Sequence, residues 1–352
     1  MKRLLQKIAL HPLYIRWTHW EFWPLHILYI PVYIQHLWLA AKARSFFFFL
    51  RTNPAIDDGL LLDDPKYKTL QLIPREYLPK TILITTRHSI EDIRQLMQKA
   101  AIDFPVILKP NIGYRGLQVD KIKDDKQLRN FIQNINVDYL LQEYINFPLE
   151  MGVFYYRLPN SEKGEIPSVT CKEFLKVTGD GKSTLAMLVS QKPRAILQAK
   201  KLAKKFQAQW HNVIPKGEEI LLEGIGSHNR GTKFINANAL RDEALQRVFD
   251  ELNSQMQGFY FGRFDIRTAT IEDLKQGKNF KILEVNGVGA EPTHIYDPNY
   301  KLFKAWKELL HLWRIIYHIA RQNQQNGITF PTLAESKEKW KRFHKSKKAL
   351  TT

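Results

Sequence analysis

Residues 262–266 (GRFDI) and 282–286 (ILEVN) put four side chains at spacings that can do chemistry. Each stretch alternates apolar and polar residues, the pattern of a strand with one buried face. Side chains two apart on a strand point the same way, so Arg263 shares a face with Asp265, and Glu284 with Asn286. If the strands pair, one cation and three oxygen-bearing side chains converge on one spot. Carboxylate and amide oxygens suit Mg2+, and an arginine beside them suits a phosphate that the metal also holds. Residues 275–279 (KQGKN) predict a hairpin-like return between the strands. Two edge strands with solvated polar faces would show the same alternation.

A second signal lies upstream. Residues 104–110 (FPVILKP) read as a buried strand ending in Lys109, followed by the loop 111–116 (NIGYRG). Gly113 and Gly116 let backbone N–H groups approach phosphate oxygens, and a lysine at the strand end adds a flexible point charge. Elsewhere, 177–185 (VTGDGKSTL) centres on a Gly-Asp-Gly that is in itself a good turn.

Together, the PVILKP strand, the glycine loop and the GRFDIR and ILEVN strands resemble the ATP-grasp superfamily over about residues 66–298. The closest flavour is the D-alanine–D-alanine ligase-like carboxylate–amine ligases, and VTGDGKSTL is similar to a segment of cyanophycin-synthetase-like members. The resemblance implies an α+β fold of two subdomains clasping ATP. It implies Lys109 on the α- and β-phosphates, with Gly113 and Gly116 in a loop closing over the triphosphate. Residues 140–145 (LLQEYI) resemble the hinge strand that reads adenine, which assigns Gln142, Glu143, Tyr144 and Ile145 to the nucleotide and Glu150 to the ribose hydroxyls. Lys66, upstream of the PKTILI stretch that Pro79 opens, looks like the earlier nucleotide lysine, and Lys172 a third phosphate contact. Asp265, Glu284 and Asn286 would hold Mg2+, as two ions bridged by Glu284 and replaceable by Mn2+, and Arg263 would stabilise the transferring phosphoryl group. Two positions depart from the pattern: Arg115 stands where small residues are usual, and Gln142 where an acidic residue is frequent.

The residue types fit such chemistry without the family. Activating a carboxylate with ATP moves a phosphoryl group between anions, so positive charge and Mg2+ do most of the work. A closed, dry site then protects the acyl phosphate until an amine attacks. A thiol nucleophile would have to be Cys171, the only cysteine, which reads better as a small half-buried side chain. One cysteine excludes an internal disulfide and fits a reducing compartment, and no Cys/His spacing suggests structural zinc.

The chain has 352 residues, enough for two to three compact units. Its 53 basic against 35 acidic residues give a net charge of +18, a field that attracts polyanions. Nucleic acid is disfavoured by the lack of a helix-turn-helix, zinc-finger or RNP signature. An anionic membrane face remains. Residues 17–50 contain Trp17, Trp20, Trp23, Trp38 and four consecutive phenylalanines, Phe46 to Phe49. The apolar run 25–41 is broken by His26, Pro31, Gln35 and His36, and its seventeen residues fall short of the roughly twenty that span a bilayer. No cleavage pattern follows it, against a secretory signal peptide. With Lys2, Arg3 and Lys7 before it and Lys42 and Arg44 after, it suits a helix lying in the membrane interface; a helix packed on the body or in a dimer contact, or a full span, are the alternatives.

The expected organisation is an aromatic-rich N-terminal segment (1–50), a linker with a truncated leading domain (51–80), an ATP-grasp N-terminal lid subdomain (81–150), a C-terminal subdomain with the metal site (151–298), a C-terminal helix (299–330) and a basic, mobile tail (331–352). Helices are predicted over 90–101, 191–209, 238–258 and 300–322. The loop 287–294 (GVGAEPTH) follows the metal strand and faces the reaction centre; Glu291 or His294 could bind an amine there, or the segment is turn and surface alone. The sequence thus leads to a cytoplasmic ATP- and Mg2+-dependent carboxylate–amine ligase, peripheral on the inner membrane face and acting on a lipid or cell-envelope precursor. A ligase for soluble amino acids or peptides, or a nucleotide-binding scaffold without turnover, are the alternatives, and a dimer is compatible with either.

Overall fold

The computed structural model describes residues 9–57, 59, 64–112, 118–133 and 135–349, with side chains through 341. Gly113, Arg115 and Gly116, like Lys2, Arg3, Lys7 and Asp58, lie outside the described residues.

Two antiparallel sheets build the body. The first joins β1 (Thr81–Ile84), β2 (Val106–Pro110), β3 (Asp120–Ile122) and β4 (Tyr139–Glu143) in the order β1-β4-β2-β3. Helices Ile90–Ala100 and Asp125–Ile132 share its core: Ile93, Met97 and Leu128 pack with Val106, Leu108 and Leu141. The helix Ile90–Ala100 forms where its residues dictate. Ser89 and Asp92 make a reciprocal capping box, and Ala101 turns left-handed at φ 49° to end it.

The second sheet runs β11-β10-β5-β6-β9, from β5 (Leu149–Tyr156), β6 (Glu165–Glu173), β9 (Lys233–Asn236), β10 (Phe261–Thr268) and β11 (Phe280–Asn286). Its apolar face (Val153, Phe264, Ile266, Ile282) packs on Leu245, Phe249 and Leu252 of helix Glu243–Ser254. The opposite face is apolar at one end only. There Phe154, Tyr156 and Phe261 meet Leu312, Ile316 and Ile319 of the long helix Leu302–Gln325; two and four residues along, the same alternation brings Arg263, Asp265 and Glu150 to the other end. A small sheet, β7 (Leu175–Thr178) with β8 (Glu219–Glu223), carries its own cluster around Leu185, Val189 and Leu202.

Several local expectations change. The helix predicted over 191–209 is broken into two pieces, Pro193–Ile196 and Ala199–Lys205, while Leu185–Gln191 ends where it was to begin. Lys192 is extended, as a residue before proline prefers, and Pro193 can only begin a new turn. The β10–β11 connection is not a tight return but contains the helix Ile271–Lys275, capped by Thr270. The apolar run splits into Leu25–Leu28 and Ile30–Ala43, with Pro31 in the first turn of the second. At 14 residues the latter is about 21 Å long, and no described helix is long and apolar enough to cross a membrane. Within the basic tail, Leu333–Ala349 form a helix that the sequence reading did not name. A cap starts it: Thr332 Oγ1 accepts from Glu335 N, and Thr332 N donates to the Glu335 carboxylate at 2.7 Å.

Candidate active site

β10 and β11 pair so that Arg263 stands opposite Asn286 and Asp265 opposite Glu284, with a register irregularity just after Asp265. The four residues therefore converge on one patch. Arg263 clamps Asp265 with both nitrogens, Nε to Oδ1 at 3.2 Å and Nη2 to Oδ2 at 2.9 Å, and Asn286 Nδ2 donates to Oδ2 at 2.9 Å. Across β5 and β6, Lys172 lies opposite Glu150 in register; its Nζ sits 3.1 Å from both Glu150 Oε1 and Asp265 Oδ1.

The first sheet supplies the facing charges. Lys109, near the end of β2, crosses to β11 and donates to the Leu283 carbonyl at 2.7 Å, and to Gln142 Oε1 at 3.0 Å. Lys66 opens helix Lys66–Leu70 and pairs with Glu284. Asn111 fastens that helix to the end of β2: its carbonyl accepts from Lys66 N and its Oδ1 from Tyr67 N.

The electrostatics follow from burial among opposite charges. Burial pushes the Asp265 carboxyl upward, but Arg263 and Lys172 outweigh it and hold the group far below the usual carboxylate range. Glu284 is likewise raised by burial and lowered further by Lys66 and Lys109, ending below its ordinary value. Burial would discharge Lys172, yet Asp265 and Glu150 keep it charged and raise it. Lys109 goes the other way: burial brings it down to about 8, because Glu284 only partly offsets the loss of water and Lys66 repels it. Five cations (Lys66, Lys109, Lys172, Arg263, Arg267) surround three carboxylates (Glu150, Asp265, Glu284), and the excess is positive, as a polyphosphate requires.

The donor set fits Mg2+. Asp265 and Glu284 are hard oxygen ligands facing each other across two strands, with the Asn286 amide beside them. Among the described residues no group of three His, Cys, Asp or Glu forms a cage. Mg2+ does not need one, since it is usually held by one or two carboxylates with phosphates and water completing its shell. The lysines on both carboxylates supply the charge that a divalent ion would.

The remaining residues named from the sequence sit around this centre. β4 ends at Glu143 and β5 begins at Leu149, so Tyr144 and Ile145 lie on the crossover between the sheets. Lys121 Nζ stands 3.4 Å over the Tyr144 ring, and Ile145 O accepts from Arg267. Glu143 caps the backbone N–H of Lys80. Gln142 is buried, with its amide engaged by Lys109 and Thr81. Glu150 is held by Arg267 as well as Lys172. Arg267 had no role assigned from sequence, although it follows Asp265 by two and had to share its face. In the loop after β11, the Glu291 carbonyl accepts from Arg263 Nη1 at 3.1 Å, and its Oε1 is buried with no hydrogen-bond partner among the described residues. His294, in contrast, is fully enclosed, with Nδ1 on Ser168 Oγ at 2.7 Å, and is not presented to a substrate. Cys171 is half-buried in β6, its thiol pushed up by burial.

Residues 63–153 match the RimK-like ATP-grasp domain. No curated protein matches the sequence. Among solved structures, a bifunctional glutathione synthetase from Pasteurella multocida is similar at 15% identity and a TM-score of 0.38, over 70% of this chain and 36% of that one. A D-alanine–D-alanine ligase from Bacillus anthracis is similar at 13% and 0.42, over 74% and 68%, and the VanG D-Ala:D-Ser ligase from Enterococcus faecalis at 14% and 0.41, over 73% and 64%. This chain thus spans little more than a third of the glutathione synthetase. The matched stretch holds Lys66, Lys109, Gln142 and Glu150, so residues 63–153 of this chain are similar to a RimK-like ATP-grasp domain.

Proposed function

We propose that this protein is an ATP- and Mg2+-dependent ligase that joins a carboxylate to an amine through an acyl phosphate, working at a membrane face on a partly apolar substrate. The observation that carries the catalytic reading is the Asp265–Glu284 pair enclosed by Lys66, Lys109, Lys172 and Arg263. Lys66 and Lys109 bind the polyphosphate of ATP and hold it over β11. Arg263, already oriented by Asp265 and the Glu291 carbonyl, stabilises charge on the γ-phosphoryl group as it moves. Asp265, Glu284 and Asn286 would hold Mg2+, which would supply positive charge to the phosphate oxygens. A substrate carboxylate oxygen attacks the γ-phosphorus and ADP leaves. The amine then attacks the acyl carbon, inorganic phosphate leaves, and the amine proton is lost to base. Glu291, with a buried oxygen in want of a donor beside Arg263, suits the incoming amine. Tyr144, on the crossover and packed under Lys121 and Arg267, suits the wall of the adenine pocket.

Calorimetry of ATP with and without Mg2+, on wild type and Glu284→Ala, tests the site. Tight Mg2+-dependent binding that Glu284→Ala weakens is expected, followed by ADP release with a suitable carboxylate and amine. No ATP binding to the wild type would end the ligase reading.

A further inference from the structure

The N-terminal segment is fastened to the body on its inner side. Trp20 Nε1 donates to Tyr300 O at 3.1 Å, Gln35 Nε2 to Leu310 O at 2.8 Å, and Trp306 Nε1 to Leu28 O at 2.9 Å. Glu21 is buried against Arg194 and lies 3.2 Å from His228. Along helix Ile30–Ala43 the inward residues are Val32, His36, Leu39, Ala40 and Ala43.

The outer face of the same segment is also apolar, which packing against the body does not explain. Leu13, Trp17, Ile30, Ile34, Leu37 and Trp38 are each more than half exposed. Four of these, Ile30, Ile34, Leu37 and Trp38, share helix Ile30–Ala43, and an exposed apolar stripe of this kind marks an interaction surface. Its charge says which. Residues 22–56 contain no Asp or Glu but carry Lys42, Arg44 and Arg51; the nearest acid on the N-terminal side, Glu21, is the buried one. A groove of about 580 Å3 between this helix and Leu302–Gln325 is walled by Ile34, Trp38 and Leu310, with Lys42 and Arg314 among its lining residues. Lys42 Nζ stands 4.6 Å over the Trp38 ring. Aromatics, aliphatics and cations without acids, on helices too short to span, are the composition of a surface lying flat in a headgroup layer. A protein partner would impose no such exclusion of acidic residues.

We infer that the outer face of helix Ile30–Ala43 docks in the interface of an anionic lipid bilayer. The inference names the surface behind the membrane association proposed above, and it stands or falls separately from the ligase chemistry. The inner side of the segment touches the two loops that border the candidate active site: Trp20 packs on Tyr296, just past Glu291, and Phe22 on His228, just past Gly226, whose backbone lies against Glu150. Docking therefore sets the orientation of the site to the lipid surface.

The test is flotation of the full chain with vesicles of phosphatidylcholine alone or mixed with phosphatidylglycerol. Wild type is expected to float with the anionic vesicles, less so as salt rises. A triple variant, Ile34→Glu, Leu37→Glu and Trp38→Glu, is expected to lose at least about tenfold in partitioning. Should that variant fold poorly, Lys42→Glu with Arg314→Glu removes rim charge from exposed positions and is expected to lose about as much. Mg2+-dependent ATP binding serves as the control and is expected unchanged in both variants. Wild type that stays unbound, or variants that float as wild type does, would overturn the inference. So would a wild-type dimer that the triple variant converts to monomer without any flotation, since the face would then belong to a second copy. Flotation without ATP binding in the wild type would leave docking standing and remove the ligase reading.

Discussion

Asp265 and Glu284 are the residues on which the chemistry turns, and their surroundings show how a buried acidic pair is kept ionised. Each has at least one lysine within ion-pair distance, and Asp265 has Arg263 as well. Removing one carboxylate strands its cations in a poorly solvated place, a larger cost than the loss of a surface pair. Lys109 makes the sharpest residue-scale prediction. Burial lowers its ammonium to about 8, and only the charged form attracts a triphosphate. ATP affinity of the free protein is therefore expected to weaken as pH rises from 7 to 9, by roughly tenfold if the full charge contribution is lost. In Lys109→Met, binding is expected to be weak throughout and flat over that range. A wild-type affinity independent of pH would show that Lys109 does not contact phosphate.

Strands and loops position these side chains, and one close approach at this scale is open to test. The loop after β8 passes Gly226 so near β5 that an added Cβ would lie 1.9 Å from Glu150 Oε1 and 2.9 Å from Lys172 Cδ. Glu150 is held between Lys172 and Arg267 and cannot swing aside without breaking an ion pair. Gly226→Ala is expected to weaken ATP binding about tenfold or more while leaving the unfolding midpoint nearly unchanged, because the apolar face of the sheet and its helix Glu243–Ser254 are untouched. A large drop in the midpoint instead would place Gly226 in the scaffold. The sheet itself rests on residues such as Phe264, fully buried against Phe249 and Phe259 on the face opposite Asp265.

For the molecule as a whole, pH acts through enclosed histidines. His294 is fully buried, and burial, with Arg241 adding to it, pushes it down to about 4 from an ordinary 6.5. His36, ringed by Phe46, Phe48, Phe49 and Trp313, is shifted down as well, by burial. Above about pH 6.5 these rings are neutral in both the folded and unfolded chain. As pH falls below 6.5 the unfolded chain gains protons that the folded one refuses, so stability declines, and for His294 the decline is complete below about 4. The full effect of His294 is on the order of 3 kcal/mol. Denaturant midpoints between pH 7 and 4 are expected to fall in wild type and to fall less in His294→Gln. A midpoint that holds constant to pH 4 would contradict the burial of His294.

What a short stretch of sequence determines is what depends on its own period and caps. The alternation in 262–266 and 282–286 was enough to assign two strands, one face holding Arg263 with Asp265 and one holding Glu284 with Asn286, since a strand has only two faces. The helix predicted over 90–101 forms as Ile90–Ala100, started by the capping box of Ser89 and Asp92. Where a local device outweighed the broad pattern, the reading failed: Pro193 broke one expected helix. Only the tertiary structure decided the pairings. Lys66 meets Glu284 across 218 positions, and Lys109 meets the Leu283 carbonyl across 174. Such contacts depend on strand order and register and on how the two sheets close on each other, which no local window contains. The same holds for the outer face of helix Ile30–Ala43. Its apolar content is plain in the sequence, but packing on the long C-terminal helix determines which half is buried and which remains exposed.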